Sequence, residues 1–421
     1  MKVGFIRESK KPDQVVRVYA MAAQHYGIEF FYFTPERINI ETKTIKALFF
    51  VNGNFVEKET SYPDIIDNLG FLRTKHKKLY MELAKSCLFC HVSLGNKLEI
   101  HNIVKNTDYA IETMLYSQCD IDDLLLRHKQ LIIKPARSSQ AKNIYNLHRS
   151  EDGHLYLRLK SDITKLSKEE YFQKFHSQFT EGYIVSPYIR SVTAAGNPLN
   201  VRVLILRGRG GDWEVTKLVP RIGSVGTIIA NLSTGSNFAF AKEFFPLEFG
   251  SDGEKVVNDL KACALTLADL IQKHYSRLIP LLGFDIGIDR DNDNKPKLFE
   301  VNTGAGIRPN EIETIEPLIN FYKHLYMDFD KFHMVQNKEL GVVSSTMDTF
   351  METEEISYLH LLKIYSDCLN ETQIKIKNNQ LKMNKEIESL EKAIMAGYHH
   401  VDLYMGYLAK EKHVKLFRTK S

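Results

Sequence analysis

The sequence predicts a multidomain chain of mixed α/β and α+β class, and three observations carry that expectation. Near the N-terminus, apolar strand runs flank an amphipathic helix, the βαβ order that builds a parallel sheet. From Leu131 to Asn302, alternating strands punctuated by turn residues dominate, with helices set between them. From about Asn337 onward, glycines and strand patterns nearly vanish and charges of both signs intersperse, as in a helical appendage.

Composition narrows the function classes. A chain of 421 residues can hold two or three domains, and 43% hydrophobic with 26% charged residues is ordinary for a globular protein. The net charge of +4 gives no reason to expect nucleic acid, whereas a small polyanion needs only a local basic cleft. Met1 to Glu8 places charge after few apolar residues, which reads as a first strand and not a signal peptide. No apolar run is long enough for a bilayer span, so no membrane partner is expected. Five cysteines, odd and sparse, fit a reducing, cytoplasmic compartment. Cys87-Leu88-Phe89-Cys90-His91 has the spacing of haem attachment or a redox pair. Its apolar setting favours a buried strand in which thiols act as small hydrophobes.

In chain order, strands are expected at Val3 to Ile6, Glu29 to Phe33 and Ala47 to Val51. A helix starts near Asp13, buries Val16, Tyr19, Ala20 and Ala23, and stops at Gly27. A polar helix over Thr74 to Lys85 and a strand over Leu88 to Val92 complete a first domain, residues 1–95. Gly95 to His101 opens a helix carrying Lys97, and Leu131 to Pro135 is a strand that delivers Lys134 into the polar turn Ala136-Arg137-Ser138-Ser139. A lysine at a strand end beside a loop can grip phosphate, or simply be solvated. A hairpin over Tyr145 to Lys160, turning at Asp152-Gly153, and a helix over Ser167 to Phe179 close a second region, 96–180.

The third region, 181–335, begins with the strand Glu181 to Ile189. Strands over Val201 to Leu206 and Trp213 to Val219 are joined by Arg207-Gly208-Arg209-Gly210-Gly211, a basic tract that reads as a hairpin turn and not an RNA-binding segment. Arg221 precedes a loop, Gly223 to Ser236, with the composition of a lid, and a long amphipathic helix covers Asp252 to Tyr275. Beyond it, residues 336–421 place Ile376, Met383, Ile387, Leu390 and Ile394 on an amphipathic seam suited to packing on the body or on a second copy.

The helix over Asp252 to Tyr275 leads to Gly283 to Asn302, alternating strands about the turn Asp291 to Asn294. Strand periodicity puts Asp285, Gly287 and Asp289 on one face, and Glu300 and Asn302 on one face of the partner strand. If the faces coincide, two carboxylates and an amide converge, a hard-oxygen set suited to Mg²⁺; an ordinary solvated hairpin is the other reading.

In this order the motifs resemble the ATP-grasp superfamily, most closely its YheC/YheD-like branch, named for endospore coat-associated proteins. The resemblance spans roughly residues 1 to 330 and implies an ATP-grasp fold behind an N-terminal Rossmann-like (pre-ATP-grasp) domain, with a C-terminal helical extension. It implies that Lys97 and Lys134 contact ATP phosphates and that Pro187, Tyr188 and Ile189 offer backbone hydrogen bonds to adenine. Ser138, Ser139 and Asn200 fall at further nucleotide-contacting positions. Arg202 and Arg221 would bind the transferred phosphate or an anionic substrate, and Asp285, Glu300 and Asn302 would hold Mg²⁺, with Asp289 the more solvated runner-up. The activity implied is ATP- and Mg²⁺-dependent ligation of a small-molecule or peptide carboxylate to an amine through an acyl phosphate. A non-catalytic, ATP-binding coat protein that self-associates or meets a spore-coat partner through its tail is the alternative. Three departures from the family pattern stand out: Ala136 to Asn143 lacks glycine, Ser186 and Pro187 replace a Gln and a polar or acidic residue, and Asn200 replaces an acid.

Overall fold

The computed structural model describes residues 1–341 apart from 69, 138–142, 225–226, 229, 231–236 and 304–311. The chain divides into two units, Met1–Ser344 and Ser345–Ser421. The seam from Ile376 to Ile394 lies outside the described residues, as do Ser138, Ser139 and much of the expected lid.

The first sheet contains β1 (Lys2–Ile6), β2 (Glu29–Phe33), β3 (Ile38–Asn39), β4 (Thr44–Val51), β5 (Asn54–Ser61), β6 (Ile65–Asp67) and β7 (Leu88–Phe89). Its order is β3-β4-β2-β1-β6-β7, with β5 paired to β4. Helix α1 (Gln14–His25) crosses between β1 and β2; Asp13 caps it by accepting from the Val16 N–H at 3.0 Å, and its buried residues are Val16, Tyr19, Ala20 and Ala23, as the periodicity predicts. β1 pairs in parallel with β2 and β6, but the strand at Ala47 to Val51 departs from the parallel expectation: β4 is antiparallel to β2 and turns back into β5. Asn52 (φ 48°) and Gly53 (φ 81°) make that turn, an Asn-Gly signal the strand reading passed over.

Helices α2 (Phe71–Lys75) and α3 (Lys77–Ala84) lead into β7, where Cys87 and Cys90 are buried and burial raises both thiol pKa values, so they behave as core and not as a redox pair. Helix α4 (Lys97–Val104) opens with a full capping box, in which Asn96 accepts from the Glu99 N–H and Glu99 returns a bond to the Asn96 N–H.

The second sheet runs β12-β11-β10-β9-β13-β8, built from β8 (Met114–Leu115), β9 (Gln130–Pro135), β10 (Tyr145–Arg149), β11 (Leu155–Leu159), β12 (Asp162–Leu166) and β13 (Tyr183–Pro187). Helices α5 (Ile121–His128) and α6 (Lys168–Lys174) accompany it. The strand expected to open the third region thus completes the second sheet, antiparallel to β9 with Ile184 opposite Lys134.

The third sheet is β16-β15-β14-β17-β18: β14 (Leu199–Arg207), β15 (Trp213–Ile222), β16 (Asn237–Phe238), β17 (Leu281–Asp289) and β18 (Lys295–Asn302). Alternation sorts its faces. Val201, Val203, Phe284 and Ile286 enter one core with Val256, Leu260 and Leu267 of α8 (Gly253–His274), which follows α7 (Ala241–Phe249). The basic glycine tract is a tight turn, with the Arg207 guanidinium stacked 3.9 Å from the Trp213 ring centroid.

Helix α9 (Ile312–Met327) joins the first and third sheets in a shared core through Ile319, Phe321 and Tyr322. Helix α10 (Phe329–Leu340) then seals β7: Gln336 Oε1 accepts from the Phe89 N–H at 2.7 Å and its Nε2 donates to the Cys87 carbonyl at 2.8 Å. Gln336 is fully buried, so Gln336→Ala leaves two buried backbone groups unpaired. A loss of about 2–4 kcal/mol in stability is expected, read as a lower urea midpoint at unchanged slope. Among the described residues no helix is long and apolar enough to cross a membrane.

Candidate functional site

The site grows from strand register. Asp285 on β17 stands between Arg202 of β14 and Glu300 of β18, and Gly283 stands opposite Asn302. Directly opposed residues share a sheet face, so the two acid-bearing faces coincide. Asn200, opposite Arg221 on β15, joins the same face. Between Asp285 and Ile286 the register shifts by one residue, because Ile286 faces Leu298. Phe299 is the extra residue of a β-bulge, which bends β18 where Glu300 is presented.

The second sheet brings the lysines. Lys134 Nζ on β9 donates to the Phe299 carbonyl at 3.3 Å, and Lys97 Nζ at the start of α4 lies 3.1 Å from Glu300 Oε1. The Lys97 N–H also donates to the Ala136 carbonyl at 3.2 Å, tying α4 to the chain just beyond Lys134. Burial pushes the Lys134 ammonium down to about 8; Glu300 opposes that shift and Lys97 adds to it.

Asp285 is bound on both oxygens. Arg202 donates Nε to Oδ1 and Nη2 to Oδ2 (2.9 Å), and Arg221 Nη1 donates to Oδ1 at 3.1 Å. Burial lowers the Arg221 pKa, with Asp285 as the main opposing charge. Asp289, read from sequence as the more solvated acid, is as buried as Asp285, 9% against 8% exposed, and accepts from the Asp291 N–H within its own turn.

Two cavities meet at Lys97, Lys134, Phe299 and Glu300. One, about 130 Å³, runs along Pro187, Tyr188, Ile189 and Asn200 toward Ile228; the other, about 620 Å³, extends past Asn302 beneath α4. In the connector Pro187 has no N–H and the Tyr188 N–H already bonds to the Gln130 carbonyl at 3.0 Å. Ile189 is therefore the residue of the three whose N–H can serve a ligand. Asn200 gives Nδ2 to the Ala230 carbonyl at 2.7 Å, which leaves its Oδ1, and likewise Arg221 Nε, buried without a partner among the described residues. Both residues line the small cavity.

The predicted residues Lys97, Lys134, Pro187, Tyr188, Ile189, Asn200, Arg202, Arg221, Asp285, Glu300 and Asn302 thus line one junction or its two cavities, or bond to residues that do. Sequence reasoning missed Phe299, which supplies the acceptor for Lys134, and Ala230, which fixes the Asn200 amide. Nothing in the local pattern marks a bulge at Phe299, and a backbone acceptor such as Ala230 carries no residue code.

The chain matches the YheC/D-like ATP-grasp family over residues 87–326. It is 25% identical over 297 residues to the endospore coat-associated protein YheD of Bacillus subtilis, covering 66% of this chain and 64% of that relative, so less than two thirds of YheD is spanned. Identity to YheC of the same organism is 23% over 317 residues, covering 68% of this chain and 83% of YheC. Among solved structures, a Chryseobacterium gregarium RiPP-associated ATP-grasp ligase, in complex with ADP and a leader and core peptide, aligns at TM-score 0.42 and 9% identity over 76% of this chain and 97% of its own. The family match, spanning more than half the sequence and reaching from the edge of the first sheet through the acid hairpin to α9, shows that this chain belongs to the YheC/D-like ATP-grasp family.

Proposed function

We propose that the chain is an ATP- and Mg²⁺-dependent ligase that joins a carboxylate to an amine. The observation that carries this reading is the meeting of Lys97, Lys134, Arg202 and Arg221 with Asp285 and Glu300 where the two cavities join. Four cations around two carboxylates leave a local excess of positive charge suited to a triphosphate. The small cavity takes the adenine end of the nucleotide, with the Ile189 N–H as the connector's donor for the base and Asn200 on the side of the sugar. Glu300 and Asn302, with Asp285, would hold Mg²⁺, which would supply charge neutralisation on the phosphates.

The residues then have separable tasks. Lys97 and Lys134 hold the phosphates that remain on the nucleotide, and Arg202 and Arg221 hold the group being transferred. A substrate carboxylate oxygen attacks the terminal phosphorus and ADP leaves; an amine nitrogen then attacks the acyl carbon, releasing phosphate and a proton. The division 1–95, 96–180, 181–335 and 336–421 goes with this reading in its broad order, with three successive sheets, although β13 (Tyr183–Pro187) belongs to the second sheet and α10 crosses the last boundary. A cytoplasmic setting accords with the free cysteines, Cys87, Cys90, Cys119 and Cys263, among the described residues.

Purified protein with ATP, Mg²⁺ and pools of amino acids or peptides tests the proposal. Nucleotide-dependent stabilisation and amine-dependent ADP release are expected; neither one with any pool sinks it. Stabilisation without turnover selects the coat-protein alternative, which the glycine-free stretch Ala136 to Asn143 and the names of the two Bacillus relatives support.

Lys134 gives the nucleotide site a pH signature. A polyanion favours the charged ammonium, which the free protein loses as pH rises through about 8. Affinity for ATP should hold below pH 8 and fall above it, by about tenfold per pH unit until the pKa of the complex is reached. Calorimetric titrations at pH 7 and pH 9 read this directly, and Lys134→Met should flatten the profile.

A further inference from the structure

Asp285 bonds more groups than a metal ligand requires. Its carboxylate accepts two bonds from Arg202 and a third from Arg221, and the three side chains are 11%, 13% and 9% exposed. The triad is nearly dry and itself carries one more positive than negative charge, with Glu300 as a more distant counter-charge to Arg221, and Arg221 Nε is buried with no partner among the described residues. Guanidinium matches carboxylate and phosphate with the same two-pronged geometry, so a phosphate arriving at these arginines competes with Asp285 for the same donors. Glu300, the acid facing Asp285 in register, is meanwhile paired to Lys97.

We infer that Asp285 is a clasp and therefore a positioning residue: it holds Arg202 and Arg221 in place and is itself withheld from metal until an anion takes the arginines. The inference rests on the metal–nucleotide reading of this site. It makes anion and metal binding cooperative, since each ligand removes one partner of the same ion triad, and linkage makes that help mutual. Divalent metal alone should bind weakly, because the carboxylate it needs is engaged. The chain thereby favours binding metal together with nucleotide.

Two variants open the clasp from opposite sides, and neither assay contains nucleotide. Arg202→Lys keeps the charge but cannot make the paired bonds, so Asp285 Oδ2 loses its partner while Oδ1 keeps only its bond from Arg221. Its affinity for Mn²⁺, read by electron paramagnetic resonance of the free ion, is expected to rise about tenfold over the wild type. Asp285→Asn frees the arginines, and its affinity for inorganic tripolyphosphate in excess EDTA is expected to rise about tenfold. Asp289→Asn removes a charge from the same strand face, where no arginine bond to it is found among the described residues, and should leave tripolyphosphate binding near the wild-type value. Unchanged Mn²⁺ affinity in Arg202→Lys overturns the clasp, as does an equal gain of tripolyphosphate affinity in Asp285→Asn and Asp289→Asn. Thermal melts establish that each variant folds, and the Arg202→Lys arm stands alone if Asp285→Asn does not. Failure of wild-type protein to be stabilised by Mg²⁺ and ATP would instead count against the ligase reading, a separate result.

Discussion

Glu300→Gln is expected to weaken metal-dependent nucleotide binding by roughly 100-fold, corresponding to about 3 kcal/mol. Glu300 is the carboxylate that faces both lysines: Lys97 pairs with it at 3.1 Å, and its charge opposes the burial that lowers the Lys134 pKa. Glutamine keeps the shape and removes the charge. The metal loses a carboxylate, and Lys134 loses the group that holds its proton, so its pKa falls further below about 8. Two readouts should therefore move together: nucleotide affinity at saturating Mg²⁺ drops, and the pH above which the remaining affinity declines shifts toward acid. A weaker affinity with an unmoved pH profile would mean that Glu300 and Lys134 are not electrostatically joined. Any ADP release should fall by a larger factor than binding, because positioning and charge neutralisation are what phosphoryl transfer asks of the site.

Gly287→Val is expected to disrupt the same place through packing. Gly287 lies between Asp285 and Asp289 on the acid face of β17, and a Cβ there would meet the Phe299 ring at 2.1 Å. Its backbone needs no unusual conformation; the space above it is occupied. Valine must displace the ring, at a cost of about 1–3 kcal/mol, visible as a lower melting temperature. The displaced residue is the bulge residue whose carbonyl receives Lys134 and whose neighbour is Glu300. Nucleotide affinity should thus fall along with stability, whereas an overpacked core far from the cleft would lower stability alone. Gly287→Ala should give the same pattern in milder form.

Strand alternation made much of this site readable before any coordinates. The placement of Asp285 and Glu300 on facing strands requires only a period of two and a turn at Asp291 to Asn294, and both are written locally. The α1 face was equally plain, because Val16, Tyr19, Ala20 and Ala23 repeat at helical spacing. The bulge at Phe299 was not readable: an extra residue in one strand is decided by how Gly287 and Phe299 pack across the pair. Nor could spacing show that both oxygens of Asp285 serve arginines, since those bonds join residues 64 and 83 positions apart. The β4–β5 hairpin was legible in Asn52-Gly53, whereas the antiparallel course of β4 beside β2 follows from the short connection between Phe33 and Thr44, which holds no crossover α-helix. Ile189 emerged as the connector's available donor only once Tyr188 was seen bound to Gln130.

The amide of Gln336 has a consequence for the order in which the molecule can be completed. It stands in for a missing neighbour strand, meeting the backbone of Cys87 and Phe89 across sequence separations of 249 and 247 residues. A chain leaving the ribosome therefore exposes the β7 edge for as long as it takes to synthesise the second and third sheets. An open strand edge is a template for pairing with other chains. Truncated chains ending before α10 should accordingly partition into aggregates, while chains extended past Leu340 close their own edge.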